Sequence, residues 1–440
     1  MSQDLSRRSF LAGAGAAAVP FSGPPVRVGL IGAGNRGRSL LGTLLATDRA
    51  LVPAVCDIVP EHAARALEIL ARAGQEKTAV YTSGEEAYKQ LLARDDLDAV
   101  VIATPWNWHT PMAVAAMHAH KYAAVEVPAA LSVEECWQLV RTHEATGVPC
   151  MMLENWSFRR DNLAVLNMIR KGMLGEILHC HCAHSHNVVD HWFFDPSGKE
   201  RWAAHYLYET NRDQYPTHSL GPVLSWMDLN CGDYFDTVAS TATRALGVQN
   251  YFKKKFGADH PNARRPVRQG DIVTTVVKTK KGNTIVINYD MQLPRPYDNR
   301  WMIQGTEGVY KEQNTPEDSV VYLAGRTDHW PSTEGPDYET WKPFGPFQEK
   351  HDHIWWRTLS ATSPAVLANH GGTDYLELLR FLEAVRNRTR TPIDVYDSVL
   401  FSVIGPLSSA SIAAGSVPVK CPDFTAGKWK TRRPSFALEV

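Results

Sequence analysis

The sequence predicts an α/β protein in two parts. An N-terminal doubly wound parallel sheet is followed by a C-terminal α+β domain with a large, mostly antiparallel open sheet. Three observations predict this. Short apolar runs alternate with helical patterns up to about residue 150. A glycine-rich loop joins the first run to the first helical pattern. Beyond Met151, longer strand-like runs follow one another with few helices between them.

Val26–Ile31 is a short buried strand. Gly32, Gly34 and Gly37 then stand as Gly-x-Gly-x-x-Gly, and Arg38–Leu45 is helical. In such a loop the first glycine permits the turn and the second lets a pyrophosphate approach the backbone. The third lets helix and strand pack closely. The helix N-terminus offers N–H groups and positive dipole to the phosphates. The second strand, Leu51–Cys56, ends at Asp57, about 20 residues beyond Gly37. An acid there can accept from a ribose 2′-OH and repels a 2′-phosphate, which favours NAD over NADP.

The alternation continues through helix Glu61–Ala73, strand Ala79–Tyr81, helix Gly84–Arg94 and strand Ala99–Ala103. Helix Pro111–His118 and strand Ala123–Glu126 follow. Ligands of doubly wound sheets sit beyond the carboxyl ends of the strands. The tails Thr104–His109 and Glu126–Pro128 occupy that position.

In the second part, helix Asp161–Lys171 leads through Gly172 and Gly175 to strand Ile177–His186. Strands follow near Thr237–Leu246, Asp271–Thr279, Asn283–Gln292 and Arg300–Gly305. Helical patterns at Asp374–Arg386 and Val395–Ala413 are expected to pack back on the first domain. The expected organisation is a leader over 1–24, a nucleotide domain over 25–150 and a substrate domain over 151–440.

The leader reads Ser6-Arg7-Arg8-Ser9-Phe10-Leu11 and then the small, apolar run Ala12–Val19. Paired arginines in that order resemble the twin-arginine signal, an address for exporting folded proteins. Cleavage is expected between about Ala16 and Pro24, with the export machinery as a partner and the periplasm or exterior as destination. An enzyme there has no free nicotinamide pool. It must carry its dinucleotide tightly bound and regenerate it within each cycle.

After Pro25 no apolar run approaches the ~20 residues of a membrane span. The 46 basic and 47 acidic residues nearly cancel, so no nucleic-acid partner is implied. The seven cysteines lack metal-like Cys-x-x-Cys spacing and are expected to be mostly free, buried thiols. His179, His181, His184, His186 and His191 crowd one segment. A metal site is conceivable. Without a helical His-x-x-x-His, sheet-face histidines with one or two lining a pocket are expected instead, and no metal. A homo-oligomer is left open.

Tyr215-Pro216-Thr217-His218 is the segment with the clearest acid–base chemistry. Pro216 fixes the backbone, so phenol and imidazole are held in a set relation. The imidazole can take or give a proton near neutral pH. The tyrosine needs a lowered pKa to act as a base.

Ala103-Thr104-Pro105 followed by a histidine, and Glu126-x-Pro128, resemble the Gfo/Idh/MocA oxidoreductases. Most members carry a catalytic lysine where this chain has Val127. Trp106-Asn107-Trp108-His109, Glu126-Val127-Pro128, Tyr215–His218 and Pro294-Arg295-Pro296-Tyr297 resemble family 109 glycoside hydrolases. So do His370-Gly371-Gly372-x-Asp374-Tyr375 and Pro422-Asp423-Phe424.

The resemblance implies an NAD-dependent α-N-acetylgalactosaminidase with no net NAD consumption. By it, Asn35, Arg36, Asp57, Trp106, Asn107, Trp108, His109, Glu126, Val127 and Asn155 contact NAD. Tyr215, Pro216, Thr217, His218 and Tyr297 contact the sugar, and His109 could help at the nicotinamide side. Two positions depart from the family. His184 stands where it has a substrate tyrosine, and Ala203 follows Trp202 where it has an arginine.

The implied cycle oxidises the sugar at carbon 3, eliminates the aglycone after loss of the carbon-2 proton, adds water and reduces carbon 3 again. His218, Tyr215 and His184 are the proton-transfer candidates. Ordinary glycosidases use two carboxylates, with NAD-dependent enzymes an exception. Glu154, Asp190, Glu209 and Asp213 show no motif that fixes such a pair. A sugar dehydrogenase with net NAD turnover and a non-catalytic sugar-binding protein are the competing readings. Val127 opposes the first, and retention of Tyr215 and His218 opposes the second.

Overall fold

A computed structural model describes residues 23–324, 340–359 and 370–439. The expected leader therefore lies outside the described residues, except for its last two positions.

The first sheet is built from β1 (Val26–Ile31), β2 (Ala50–Cys56), β3 (Ala79–Tyr81), β4 (Ala99–Ile102), β5 (Tyr122–Val125) and β6 (Cys150–Met152). Its order is β3-β2-β1-β4-β5-β6, and every pairing is parallel. That is the strand order of a six-stranded dinucleotide-binding sheet. The helices between the strands are α1 (Asn35–Ala46), α2 (Pro60–Arg72), α3 (Ala87–Leu92), α4 (His109–His118) and α5 (Val133–Thr146). β1, β4 and β5 are almost wholly buried, as strands covered on both faces should be.

Three local readings are corrected here. α1 begins at Asn35, three residues earlier than expected, because extended Gly34 serves as its N-cap. α3 is shorter than the expected Gly84–Arg94, since Gly84 takes a positive φ that keeps it out of the helix. α5 and β6 were not anticipated, although Ser132 and Glu135 form a capping box that announces α5. β6 runs across Met151, where the sequence pattern changes.

The second sheet begins with β7 (Ile177–Ser185), after α6 (Arg160–Arg170). Three short helices follow: α7 (Ala204–Glu209), α8 (Pro216–Leu220) and α9 (Val223–Trp226). Then come β8 (Phe235–Ala242), α10 (Gly247–Phe256), β9 (Ile272–Thr279), β10 (Thr284–Asp290), β11 (Met302–Gly305), β12 (Gly308–Lys311), β13 (Val320–Leu323) and β14 (Lys342–Pro343). After α11 (Gly345–His351) and α12 (Ile354–Leu359), the chain closes with α13 (Thr373–Asn387), α14 (Val395–Ser402), α15 (Ile404–Ala413) and β15 (Val419–Lys420).

The sheet order is β14-β13-β12-β11-β7-β10-β9-β8-β15. All its pairings are antiparallel except β10 with β7, so the sheet is mixed at its centre. The strand expected to reach Leu246 ends at Ala242, where the chain turns into α10. The single helix expected over Val395–Ala413 is broken at Val403. Pro406 lacks the N–H that would bond the Ser402 carbonyl. This stretch is long and apolar enough to span a bilayer, yet 72% of its most apolar window is buried inside the protein.

The closing helices do return to the first domain. α13 packs on α1, and α14 packs on α5 and β6. Met152 N–H donates to the Ser398 hydroxyl at 3.0 Å, and Ala129 N–H to that of Ser402 at 3.1 Å. All seven cysteines are free thiols, six of them buried. Burial pushes the Cys180 and Cys182 thiols far up, so they are inert.

Candidate active site

The site lies beyond the carboxyl ends of β1, β2, β4, β5 and β6, where α8, the end of β7 and the start of α13 close over it. The glycine loop is tight for definite reasons. A Cβ on Gly37 would stand 1.9 Å from the Gly32 carbonyl oxygen, so only glycine lets α1 start so near β1. Gly32 has φ +89, and a Cβ there would stand 2.6 Å from the Ala103 carbonyl oxygen. Gly34 instead faces open space, with nothing within 4 Å of an added Cβ. α1 has no side-chain cap, so its first N–H groups are open to an anion.

Asp57 stands at the end of β2, as expected. Its carboxylate accepts from Ala33 N–H at 2.6 Å and from Val59 N–H at 2.8 Å, which ties the glycine loop to the second strand. Asn35 is exposed and accepts from Arg38 at 2.9 Å. Arg36 turns inward, donating to Glu126 at 2.6 Å and to Asp374 at 2.5 Å. Burial opposes its charge, but the two carboxylates outweigh it and hold its pKa well above the ordinary value. Asn155 donates to Asp374 at 2.7 Å, and His370 lies 3.0 Å from the same carboxylate. Asp374 thus joins two expected cofactor contacts, Arg36 and Asn155, to His370. Asp374 was part of a recognisable motif without an assigned role.

Trp106 is buried and stacks on Tyr215, with centroids 5.8 Å apart at 22°. Trp192, Trp202 and Tyr206 surround it. Ala203, in place of the expected arginine, is fully buried in this wall. Asn107 is exposed, and Trp108 turns toward Tyr88. Val127 is buried in the apolar core. His109 is corrected as a contact at the nicotinamide side. Its Nδ1 is 2.7 Å from the Pro128 carbonyl and its Nε2 is 2.8 Å from the Thr104 carbonyl. Burial lowers its pKa, so the neutral ring donates to one of these two carbonyls, and both nitrogens face the tails of β4 and β5 rather than the open cleft.

α8 carries the acid–base pair. Pro216 occupies its first turn, where a missing N–H costs nothing. Tyr215 Oη lies 3.3 Å from Nε2 of His218. Nδ1 of His218 is 2.8 Å from the fully buried Glu154 carboxylate. Sequence reasoning missed this partner, although Glu154 follows β6 at the strand end where ligands sit. A carboxylate accepts, so Nδ1 carries the hydrogen and the Nε2 lone pair faces Tyr215 and the cleft.

Tyr215 does not meet the condition for acting as a base, a lowered pKa. Burial raises its pKa well above the ordinary value, and Glu126 and Glu154 raise it further against Arg36. Its hydroxyl keeps the proton and donates. His184, at the end of β7, is buried beside Tyr215, His218 and Tyr297. Tyr297 stands at the rim, 38% exposed. Of the five clustered histidines, His179 pairs with Thr284 and His181 with Asn288. Among the described residues no group of three histidine, cysteine or acidic side chains is arranged to hold a metal ion.

A dinucleotide fits these residues. Gly34 leaves room, the α1 N-terminus is uncapped, and Asn155 Oδ1 and Thr217 Oγ1 are buried with no partner among the described residues. The parallel sheet, its loop and the open sheet facing it define a two-domain NAD-binding oxidoreductase fold. Residues 26–154 match the model of the oxidoreductase family with NAD-binding Rossmann fold, and residues 158–431 that of the glycosyl hydrolase 109 C-terminal domain.

The chain belongs to glycosyl hydrolase family 109. It is 37% identical to an alpha-N-acetylgalactosaminidase from Tannerella forsythia, over 94% of this chain and 89% of that one. A glycosyl hydrolase family 109 protein of Shewanella pealeana is 40% identical, over 93% and 87%. Among solved structures, levoglucosan dehydrogenase in complex with NADH and L-sorbose superposes with a TM-score of 0.68 at 21% identity, covering 91% of this chain and 100% of that one. Myo-inositol dehydrogenase from Lactobacillus casei gives 0.61 at 17% identity, over 92% and 100%. These two likenesses are of fold.

Proposed function

We propose that this NAD-dependent glycosidase cleaves α-N-acetylgalactosaminides, is exported by the twin-arginine route, and holds its dinucleotide tightly through a cycle that does not consume it. One observation carries the reading: Glu154, His218 and Tyr215 form a connected acid–base row at the mouth of the dinucleotide cleft, with apolar Val127 where the oxidoreductases carry lysine.

The glycine loop and the α1 N-terminus would hold the pyrophosphate, Asp57 the ribose, and Trp106 and Asn155 the nicotinamide end. When bound, the dinucleotide supplies a reversible oxidation at carbon 3 of the sugar. A ketone at carbon 3 acidifies the hydrogen on carbon 2. His218 Nε2 takes that proton, and Glu154 stabilises the imidazolium that results. Tyr215 donates a hydrogen bond to the carbon-3 oxygen, where negative charge develops. Loss of the carbon-2 proton expels the aglycone from carbon 1, and water then adds there. Tyr297 and Thr217 position the ring, while the buried wall around Trp106 keeps bulk water from the reacting carbons.

The test is to purify the protein without added NAD, identify any bound dinucleotide, and supply aryl α- and β-glycosides in deuterated water. Aryl release with deuterium at carbon 2 and no accumulation of reduced nicotinamide supports the reading. Steady accumulation of reduced nicotinamide without aryl release sinks it. For export, the full chain fused to a reporter should reach the periplasm only with Arg7 and Arg8 intact.

A further inference from the structure

The inner wall of the site holds a histidine pair that the steps above leave unused. His184 is 5% exposed at the end of β7, and half-buried His186 stands two residues further on. Their Nε2 atoms are 3.2 Å apart, and Tyr297 Oη lies 3.4 Å from Nδ1 of His184. Burial pushes both imidazoles down, His186 to about 4, so both are neutral at neutral pH.

Two neutral rings that meet through Nε2 can hold only one hydrogen between them. Their tautomers are therefore linked. Either Tyr297 donates to His184 and His184 to His186, or the row runs the other way.

No carboxylate among the described residues pins either ring, whereas Glu154 pins His218. His184 faces Tyr215, His218, Tyr297 and His186. His186 faces His184, Tyr297 and His191, and its backbone N–H donates to the Asp290 carbonyl. The Asp290 carboxylate is engaged by Arg295, and Asp190 lies beside His191. The row runs outward, from buried His184 through His186 to His191, whose side chain is 60% exposed.

We propose that His184 and His186 form a proton relay, which takes a hydroxyl proton from the bound sugar on the Tyr297 side and releases one to solvent at His186. The proposal rests on the glycosidase reading above. The sugar O–H bond breaks and an N–H bond forms at Nδ1 of His184. The Nε2 hydrogen of His184 passes to Nε2 of His186, and the Nδ1 hydrogen of His186 leaves to water. Both rings end neutral in the other tautomer. The electron pair left on oxygen becomes the second carbon–oxygen bond as carbon 3 is oxidised, the oxidant being a nicotinamide dinucleotide. The return half of the cycle reverses the row.

The test uses the NAD-loaded protein. His186→Ala should lower kcat for an aryl glycoside about 100-fold, the low end of what positioned proton transfer supplies. KM should stay within about twofold, and added imidazole should restore several-fold. In unmodified protein with 15N-labelled histidine, NMR should show one ring of the pair as the Nε2–H tautomer and the other as Nδ1–H at pH 7. Wild-type kcat and pH profile in His186→Ala would overturn the relay, as would a loss that imidazole does not rescue. So would spectra showing both rings in one tautomer or either ring charged. If no glycoside is cleaved at all, the glycosidase reading fails, and the 15N spectrum still decides whether the row exists.

Discussion

Nδ1 of His218, on α8, lies 2.8 Å from the carboxylate of Glu154, a residue 64 positions earlier and just beyond β6. The contact fixes which nitrogen of His218 is the base. Glu154→Gln should therefore fold normally but present the wrong tautomer. We expect kcat for an aryl glycoside to fall by about 10²–10⁴, the range of positioned proton transfer, with KM changed little. Steady-state kinetics together with a thermal melt would check it. Unchanged kcat would remove Glu154 from the mechanism.

Tyr215 keeps its proton because it is buried near Glu126 and Glu154. Its ionisation should not shape the pH profile below about pH 10, the ordinary tyrosine value. Tyr215→Phe should lower kcat while leaving the alkaline limb of kcat/KM where it is in the wild type. A limb that vanishes in Tyr215→Phe would show that the phenol titrates after all.

Asp374 and Glu377 lie on one turn of α13 and should drive stability in opposite directions with pH. Burial raises the Asp374 carboxyl, but the hydrogen bond from His370 and the charge and hydrogen bonds of Arg36 outweigh it and hold it well below the usual range. Its contribution is present above the unfolded value near 3.9 and is lost as pH falls below it. Glu377 is buried with no partner for either oxygen among the described residues, and burial and then Asp374 raise its pKa well above the ordinary value. It therefore costs stability as pH rises above the unfolded value near 4.3, at about 1.4 kcal/mol per pH unit until the folded value is reached. Glu377→Gln should raise the melting temperature at pH 7 and leave it unchanged at pH 4. Asp374→Ala, which leaves Arg36 with Glu126 alone and Asn155 without its acceptor, should cost about 1–3 kcal/mol at pH 7. Melts over pH 3–8 would test both signs.

Two glycines of one loop should fail differently. Gly37→Ala drives a Cβ into the Gly32 carbonyl and should both destabilise the protein and abolish dinucleotide retention. Gly34→Ala meets open space and an ordinary φ of −62, so its melting temperature should stay close to wild type while bound dinucleotide falls. Absorbance and chromatography of the released cofactor would separate the two. Equal retention in Gly34→Ala would show that the phosphates do not approach that residue.

Whatever depends on neighbours along the chain could be read from the residues. Strand, glycine loop, helix and acid recur at local spacing, so the parallel sheet, the place of Asp57 and the Tyr215–His218 pair were legible. Short-range signals also mark α5, where Ser132 and Glu135 cap the helix. Which distant groups share a hydrogen bond emerges only from the folded arrangement. Arg36 meets Asp374 from 338 residues away, and both ring nitrogens of His109 face carbonyls beyond the ends of two strands. Hydrogen bonds and desolvation act through space, and α/β folding brings together groups whose separation along the chain carries no periodic signal. The lowered His184 and the raised Tyr215 are consequences of that burial, so their protonation could be read only once the two sheets were closed around them.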